Sequence, residues 1–217
     1  MARSPNFGPR RNGVMPDLVV LHYTAMTDCT AAERVLCDPA RAVSAHYLIS
    51  TQGQIITLVD ETMRAWHAGA GMWRGADDVN SRSIGIELDN TGKTPFAAPL
   101  MDALETLLHD ILARWDIQPE GVIAHSDMAP GRKIDPGPRF DWRRLAVRGL
   151  SVWPNVGAVE PVDWPTFRRN AAQFGYQDMD DDLLLYTYRL RFRPWADGPL
   201  DGWDCAIMAD LVHHVGD

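Results

Sequence analysis

The feature that most restricts the fold is a set of short apolar runs, each bearing a residue with chemistry at or near its end. Residues 17–23 pass through Leu18, Val19, Val20 and Leu21 to His22 and Tyr23. Residues 83–88 are apolar apart from Ser83 and Glu87, and residues 121–124 deliver His125. Runs of this length read as buried strands, and strand ends are where α/β sheets present functional groups. Between the second and third runs, residues 101–115 place Leu104, Leu107, Leu108, Ile111 and Leu112 at helical spacing. Residues 45–51 and 54–59 flank Gln52-Gly53 in a hairpin pattern. Thr30-Ala31-Ala32-Glu33 reads as a capping box for a short helix reaching Cys37. Residues 63–75, rich in Gly and Trp, read as loop. The interleaving predicts an α/β domain over residues 1–150, a mixed central β-sheet flanked by helices.

Beyond residue 150 the pattern changes. Residues 151–162 hold prolines and little periodicity and read as a linker. Residues 163–217 carry three helical patterns. Asp163 caps the first, which bears Phe167, Ala171 and Phe174 and stops at Gly175. The second spans 180–192 and ends before Pro194. Asp204 caps the third, which runs to Val215 and Gly216. Three helices in so short a segment make a small domain near the lower size limit for a core of its own.

The net charge of −8 argues against nucleic acid as the main partner, because phosphate binding calls for a basic footprint. No run approaches the roughly 20 apolar residues of a membrane helix, so no transmembrane segment is expected. Residues 1–16 hold arginines but no apolar core of a signal peptide. A cytoplasmic location is the expectation, with the periplasm as alternative if a leader has been removed. Cys29, Cys37 and Cys205 are odd in number and lack CxxC spacing, which fits reduced thiols.

The chemistry gathers around residues 124–138, where His125, Lys133 and Asp135 share a loop stiffened by Pro130, Pro136 and Pro138. Two histidines at strand ends, His22 and His125, together with Asp135, make a donor set suited to catalytic zinc with one position open. The alternative is that each histidine is a buried, hydrogen-bonded structural residue. Glu87, flanked by apolar residues, is either a desolvated general base or a carboxylate on a solvated edge. Lys133 is either an oxyanion stabiliser or an exposed loop residue. His46 and His67 fit ligand, supporting, substrate-lining or structural roles, and Asn80 fits ligand binding or turn capping. Trp66 and Trp73 line a sugar or peptide groove or else pack in the core. Arg132, Arg139, Arg143 and Arg144 form a basic cluster suited to carboxylates, or ordinary surface. Tyr23, His46, Trp66, His67, Asn80 and Arg132 are the candidate substrate contacts. His109 is expected in solvent, and His213-His214 at a helix end.

Five pieces in order carry a resemblance over roughly residues 4–145. They are residues 20–24 around His22, residues 43–49 around His46, and residues 65–69 around Trp66 and His67. The fourth is Asn80 with residues 83–88, and the fifth runs from His125-Ser126-Asp127 through Lys133-Ile134-Asp135-Pro136-Gly137. Together they resemble the zinc-dependent N-acetylmuramoyl-L-alanine amidases of the amidase_2 group, which share their fold with peptidoglycan recognition proteins and T7-type lysozyme. Residues 4–8, 192–194 and 198–201 are similar to the AmiD-like branch, in which a three-helix peptidoglycan-binding-like domain follows the amidase. The resemblance implies zinc on His22, His125 and Asp135, Glu87 as general base and Lys133 as oxyanion stabiliser. It implies peptidoglycan fragments or muropeptides as partners and hydrolysis of the bond between muramic acid and L-alanine. The alternative is a non-catalytic recognition protein on the same fold. Such proteins generally lose a metal ligand, whereas all five residues are present here.

Overall fold

The computed structural model describes residues 3–215. In chain order the elements are β1 (Phe7–Pro9), β2 (Leu18–Tyr23), α1 (Cys29–Leu36), β3 (Tyr47–Ile49), β4 (Ile55–Thr57), β5 (Met63–Ala65), α2 (Val79–Arg82), β6 (Ser83–Leu88), α3 (Ala98–Trp115), β7 (Val122–Ala124), α4 (His125–Met128), α5 (Trp142–Val147), α6 (Trp164–Phe174), α7 (Asp181–Phe192) and α8 (Gly202–Val212). The apolar runs become the five-stranded sheet β4-β3-β6-β2-β7. β2 lies parallel to both β6 and β7, β3 is parallel to β6, and the β3–β4 hairpin is antiparallel. Gly53 takes φ +82° in the hairpin turn, a conformation glycine adopts without steric cost.

Alternation along β2 sorts the core. Val19 and Leu21 join Ile84, Ile86 and Val122 on one face, which α3 covers with Leu104, Leu108 and Ile111. Leu18, Val20 and Ile123 face the other way. There they meet Phe167, Phe174, Leu184, Tyr188, Phe192 and Met208 from α6, α7 and α8 in one continuous apolar cluster. The C-terminal helices therefore share a core with the sheet. Burying each such side chain stabilises the fold by about 1.5–3 kcal/mol. Residues 151–163 carry no helix or strand, in keeping with their prolines.

Several local expectations need correction. Helix α1 is capped by Asp28, whose side chain accepts from the Ala31 N–H, and Thr30 lies inside the helix. An Asp two residues upstream competes for the same role and is the stronger acceptor. Residues 63–65 are strand β5, paired antiparallel with β1, where loop was expected. Helix α8 is capped by Asp201; Asp204 is the third helical residue and closes the capping box on the Asp201 N–H. The helix ends at Val212, with His213 as its C-cap, and Gly216 lies outside the described residues. Trp73 is fully buried against Phe174 and Tyr176 and lines no groove. The three cysteines are unpaired thiols. No helix among the described residues is long and apolar enough to cross a membrane.

Candidate metal centre

Parallel pairing brings the chemistry to one edge. His22 sits opposite Glu87 in the β2–β6 register, and Leu21 sits opposite Ala124, the residue before His125. Both histidines therefore emerge at the C-terminal edge of adjacent strands, on the same face as Glu87. The stiff loop returns Asp135 to this edge through a hydrogen bond from the Ser126 N–H to the Asp135 carbonyl. His22 Nδ1 and His125 Nδ1 are 2.8 Å apart. Asp135 Oδ2 lies 3.0 Å from each.

The surrounding hydrogen bonds decide which nitrogens carry protons. His125 Nε2 faces the Ala68 carbonyl at 3.0 Å, a pure acceptor, so Nε2 holds the hydrogen and Nδ1 is bare. Ser83 Oγ donates to the Val79 carbonyl and therefore accepts from His67 Nε2. That leaves His67 Nδ1 to accept from His22 Nε2, at 3.0 Å, and bares His22 Nδ1. Two bare nitrogens and a carboxylate oxygen thus point at a common centre. Three lone pairs at this separation repel unless a positive charge lies among them. Imidazole nitrogen and carboxylate oxygen are ligands of Zn2+, so the residues present fit that ion.

The electrostatics agree. Burial, and then the neighbouring His125, push the His22 pKa down to about 4, which keeps the ring neutral. Burial acts to raise the Asp135 carboxyl, but the adjoining His125 and His22 outweigh it and hold the group below the usual carboxylate range. Glu87 moves the other way. Burial and the charge of Asp135 raise its pKa to about 8, against the opposing pull of Lys133. Part of its side chain reaches the cavity, while Oε2 is buried without a hydrogen-bond partner.

The cluster opens into a cavity of about 550 Å3 lined by Glu87, Lys133, Tyr23, Trp66, His67 and Arg132, among others. Six of the predicted site residues thus join the three metal candidates there. Arg132 donates to the Ala68 and Ala70 carbonyls, so it also clamps the turn that holds His125. His46 and Asn80, expected among the substrate contacts, do not line the cavity. His46 is fully buried, accepts from the Gly85 N–H and faces the Met63 carbonyl. Asn80 Oδ1 accepts from the backbone N–H of His67 and of Ala68 and fixes that turn. Gly85 leaves the space for the His67 ring, since a Cβ there would come 2.4 Å from His67 Cγ. Residues 139, 143 and 144 lie on a different cavity, and Arg144 is paired with Glu105 and Asp102.

Sequence reasoning gave no role to Ser83 or Asp127. Asp127 is fully buried; its Oδ2 accepts from the Ala124 N–H and from Arg191, and its Oδ1 from the Tyr176 hydroxyl. It shapes the turn that presents His125. The available signal was its place in a strand-end motif two residues after a candidate ligand.

Comparison with known proteins agrees with this geometry. Residues 12–138 match the Amidase_2 family, N-acetylmuramoyl-L-alanine amidase. The chain is 36% identical to N-acetylmuramoyl-L-alanine amidase AmiD of Escherichia coli, over 92% of this chain and 83% of that one. The structure of AmiD from that organism, in complex with the substrate anhydro-N-acetylmuramic acid-L-Ala-D-gamma-Glu-L-Lys, superposes with a TM-score of 0.84, covering 95% of this chain and 90% of that one. AmpDh3 of Pseudomonas aeruginosa in complex with anhydromuramic pentapeptide is 32% identical, with a TM-score of 0.79, covering 94% of this chain and 93% of that one. The chain belongs to the Amidase_2 family of N-acetylmuramoyl-L-alanine amidases.

Proposed function

We propose that the protein hydrolyses the amide between the lactyl group of N-acetylmuramic acid, or its 1,6-anhydro form, and the L-alanine of the stem peptide. It would do so as a zinc enzyme of peptidoglycan turnover or recycling. The observation that carries this reading is the triangle of three bare donor atoms beside Glu87, whose Oε2 is buried without a hydrogen-bond partner. The muropeptides named in the two complexes support the substrate class.

His22, His125 and Asp135 would hold the ion, which when bound supplies Lewis acidity toward the scissile carbonyl. Glu87 takes a proton from the attacking water at the cavity floor. Its pKa, raised to about 8 by burial, suits it to accept that proton and return it to the departing alanine amine. The new C–O bond forms first, and the C–N bond then breaks as the amine takes the proton back from Glu87. Lys133, in the same wall and close enough to Glu87 and His22 to bear on their protonation, offsets charge developing on the carbonyl oxygen. Tyr23 and Trp66 line the walls that receive the substrate. Helices α6, α7 and α8 serve as a helical unit seated on the amidase core.

The test is mass spectrometry of a defined anhydro-muropeptide incubated with the protein. The expected product is a free stem peptide beginning at L-alanine. Tight binding without cleavage would replace this reading with a recognition protein.

A further inference from the structure

The loop that carries the metal cluster continues past it. Residues 131–135 line the first cavity; residues 138–144 line a second, of about 600 Å3, at the junction with the C-terminal helices. Between the two, Tyr23 packs on Gly137, where a Cβ would lie 3.4 Å from its ring. Helix α7 flanks the same path. Leu183 lies against Gly131, Tyr186 is near enough to Tyr23 to bear on its phenol, and the chain after the helix brings Trp195 to the second cavity. Three large side chains stay exposed on this path: Ile134 at 46%, Tyr186 at 51% and Trp195 at 69%.

The second cavity also holds uncommitted charge. Among the described residues, neither Arg139 nor Arg143 makes an ion pair, although the chain carries a net charge of −8. Their neighbours are committed: Arg144 to Glu105 and Asp102, and Arg191 to Asp127. Asp141, the one carboxylate in the lining, accepts from the Arg144 N–H as the cap of α5.

We propose that the second cavity is a distal binding site for an acidic glycopeptide, with Arg139 and Arg143 on its carboxylates and Trp195 against a sugar ring. Guanidinium groups pair with carboxylates through two parallel hydrogen bonds. The C–H face of a pyranose fits the electron-rich face of an indole. This rests on the reading of the first cavity as a muropeptide site. The occupant is then a further repeat of the same polymer, held by both parts of the chain.

The test uses the full chain, the double variant Arg139→Glu/Arg143→Glu and, separately, Trp195→Ala. Three quantities are compared: co-sedimentation with insoluble sacculi, release of peptide from sacculi, and kcat/KM on a single anhydro-muropeptide. Sacculus binding and release are expected to fall at least about fivefold in both variants, with kcat/KM on the small substrate within about twofold of the parent. Unchanged sacculus binding in both variants overturns the site, as does an equal loss on the small substrate. A parent that cleaves neither substrate, yet binds sacculi through Arg139 and Arg143, leaves the site standing and refutes the amidase reading. Variants that keep sacculus binding but lose binding to duplex DNA would show a phosphate site and overturn the glycopeptide assignment.

Discussion

Glu87 is driven in opposite directions by folding and by chemistry. Its pKa is raised from 4.5 to about 8 by burial and by Asp135. Between those values the metal-free folded chain keeps a proton that the unfolded chain releases, so stability falls as pH rises through that window. At pH 8 the cost is on the order of a few kcal/mol. Glu87→Gln should remove this slope. In urea titrations of metal-free protein, the variant should gain on the parent between pH 5 and pH 8; a constant gap would show that Glu87 is not buried as described. The same substitution should lower turnover by about 10²–10⁴-fold while metal stays bound. His67 acts one step out, by fixing the tautomer of His22. His67→Ala should weaken zinc retention about 10–100-fold in competition with a chelator, and unchanged affinity would remove it from this role. At this scale the donors were legible because His22, Glu87 and His125 each end or interrupt an apolar run. The roles of His46 and Asn80 were not, because their partners are backbone groups of Gly85, His67 and Ala68, and side-chain identity carries no record of those.

At the scale of elements, the turn after β7 depends on α7. Arg191 donates to Asp127, to the Val122 carbonyl and to Ser151 Oγ, with its guanidinium 4.1 Å from the Trp142 ring. Arg191→Ala leaves Asp127 buried without its cation and should cost about 3–5 kcal/mol. Chemical denaturation measures this, and a loss below 1 kcal/mol would mean that water enters and solvates Asp127. Arg189, Arg191 and Arg193 lie at the end of α7. All three are buried because Asp204 and Asp127, distant in the chain, meet them. β2, β6 and β7 were readable from continuous apolar runs. β1 and β5 were not, since each is three residues long and is defined only by pairing with the other. The cap of α8 was misplaced because Asp201 and Asp204 both belong to one capping box.

At the scale of the whole molecule, the C-terminal helices complete the core. A segment so short has little core of its own, and its Phe167, Phe174, Tyr188 and Phe192 close over Val20, Ile123 and Met128. A chain ending after Trp153 should therefore expose the sheet face that also carries the metal centre and lose cooperative melting, as followed by circular dichroism. A soluble, cooperatively melting truncation would show that the shared core is dispensable. The distribution of apolar residues predicted the helices, but not the surface against which they close, because amphipathic pattern gives a face and not its partner.

The most direct test of the central claim is a zinc titration of the metal-free protein, with hydrolysis of an anhydro-muropeptide followed in parallel. Activity should be absent at the start, rise linearly and saturate at one zinc per chain, while His22→Ala and Asp135→Ala stay inactive throughout. Full turnover without metal, or normal recovery in either variant, would contradict the assignment of His22, His125 and Asp135 as the metal centre.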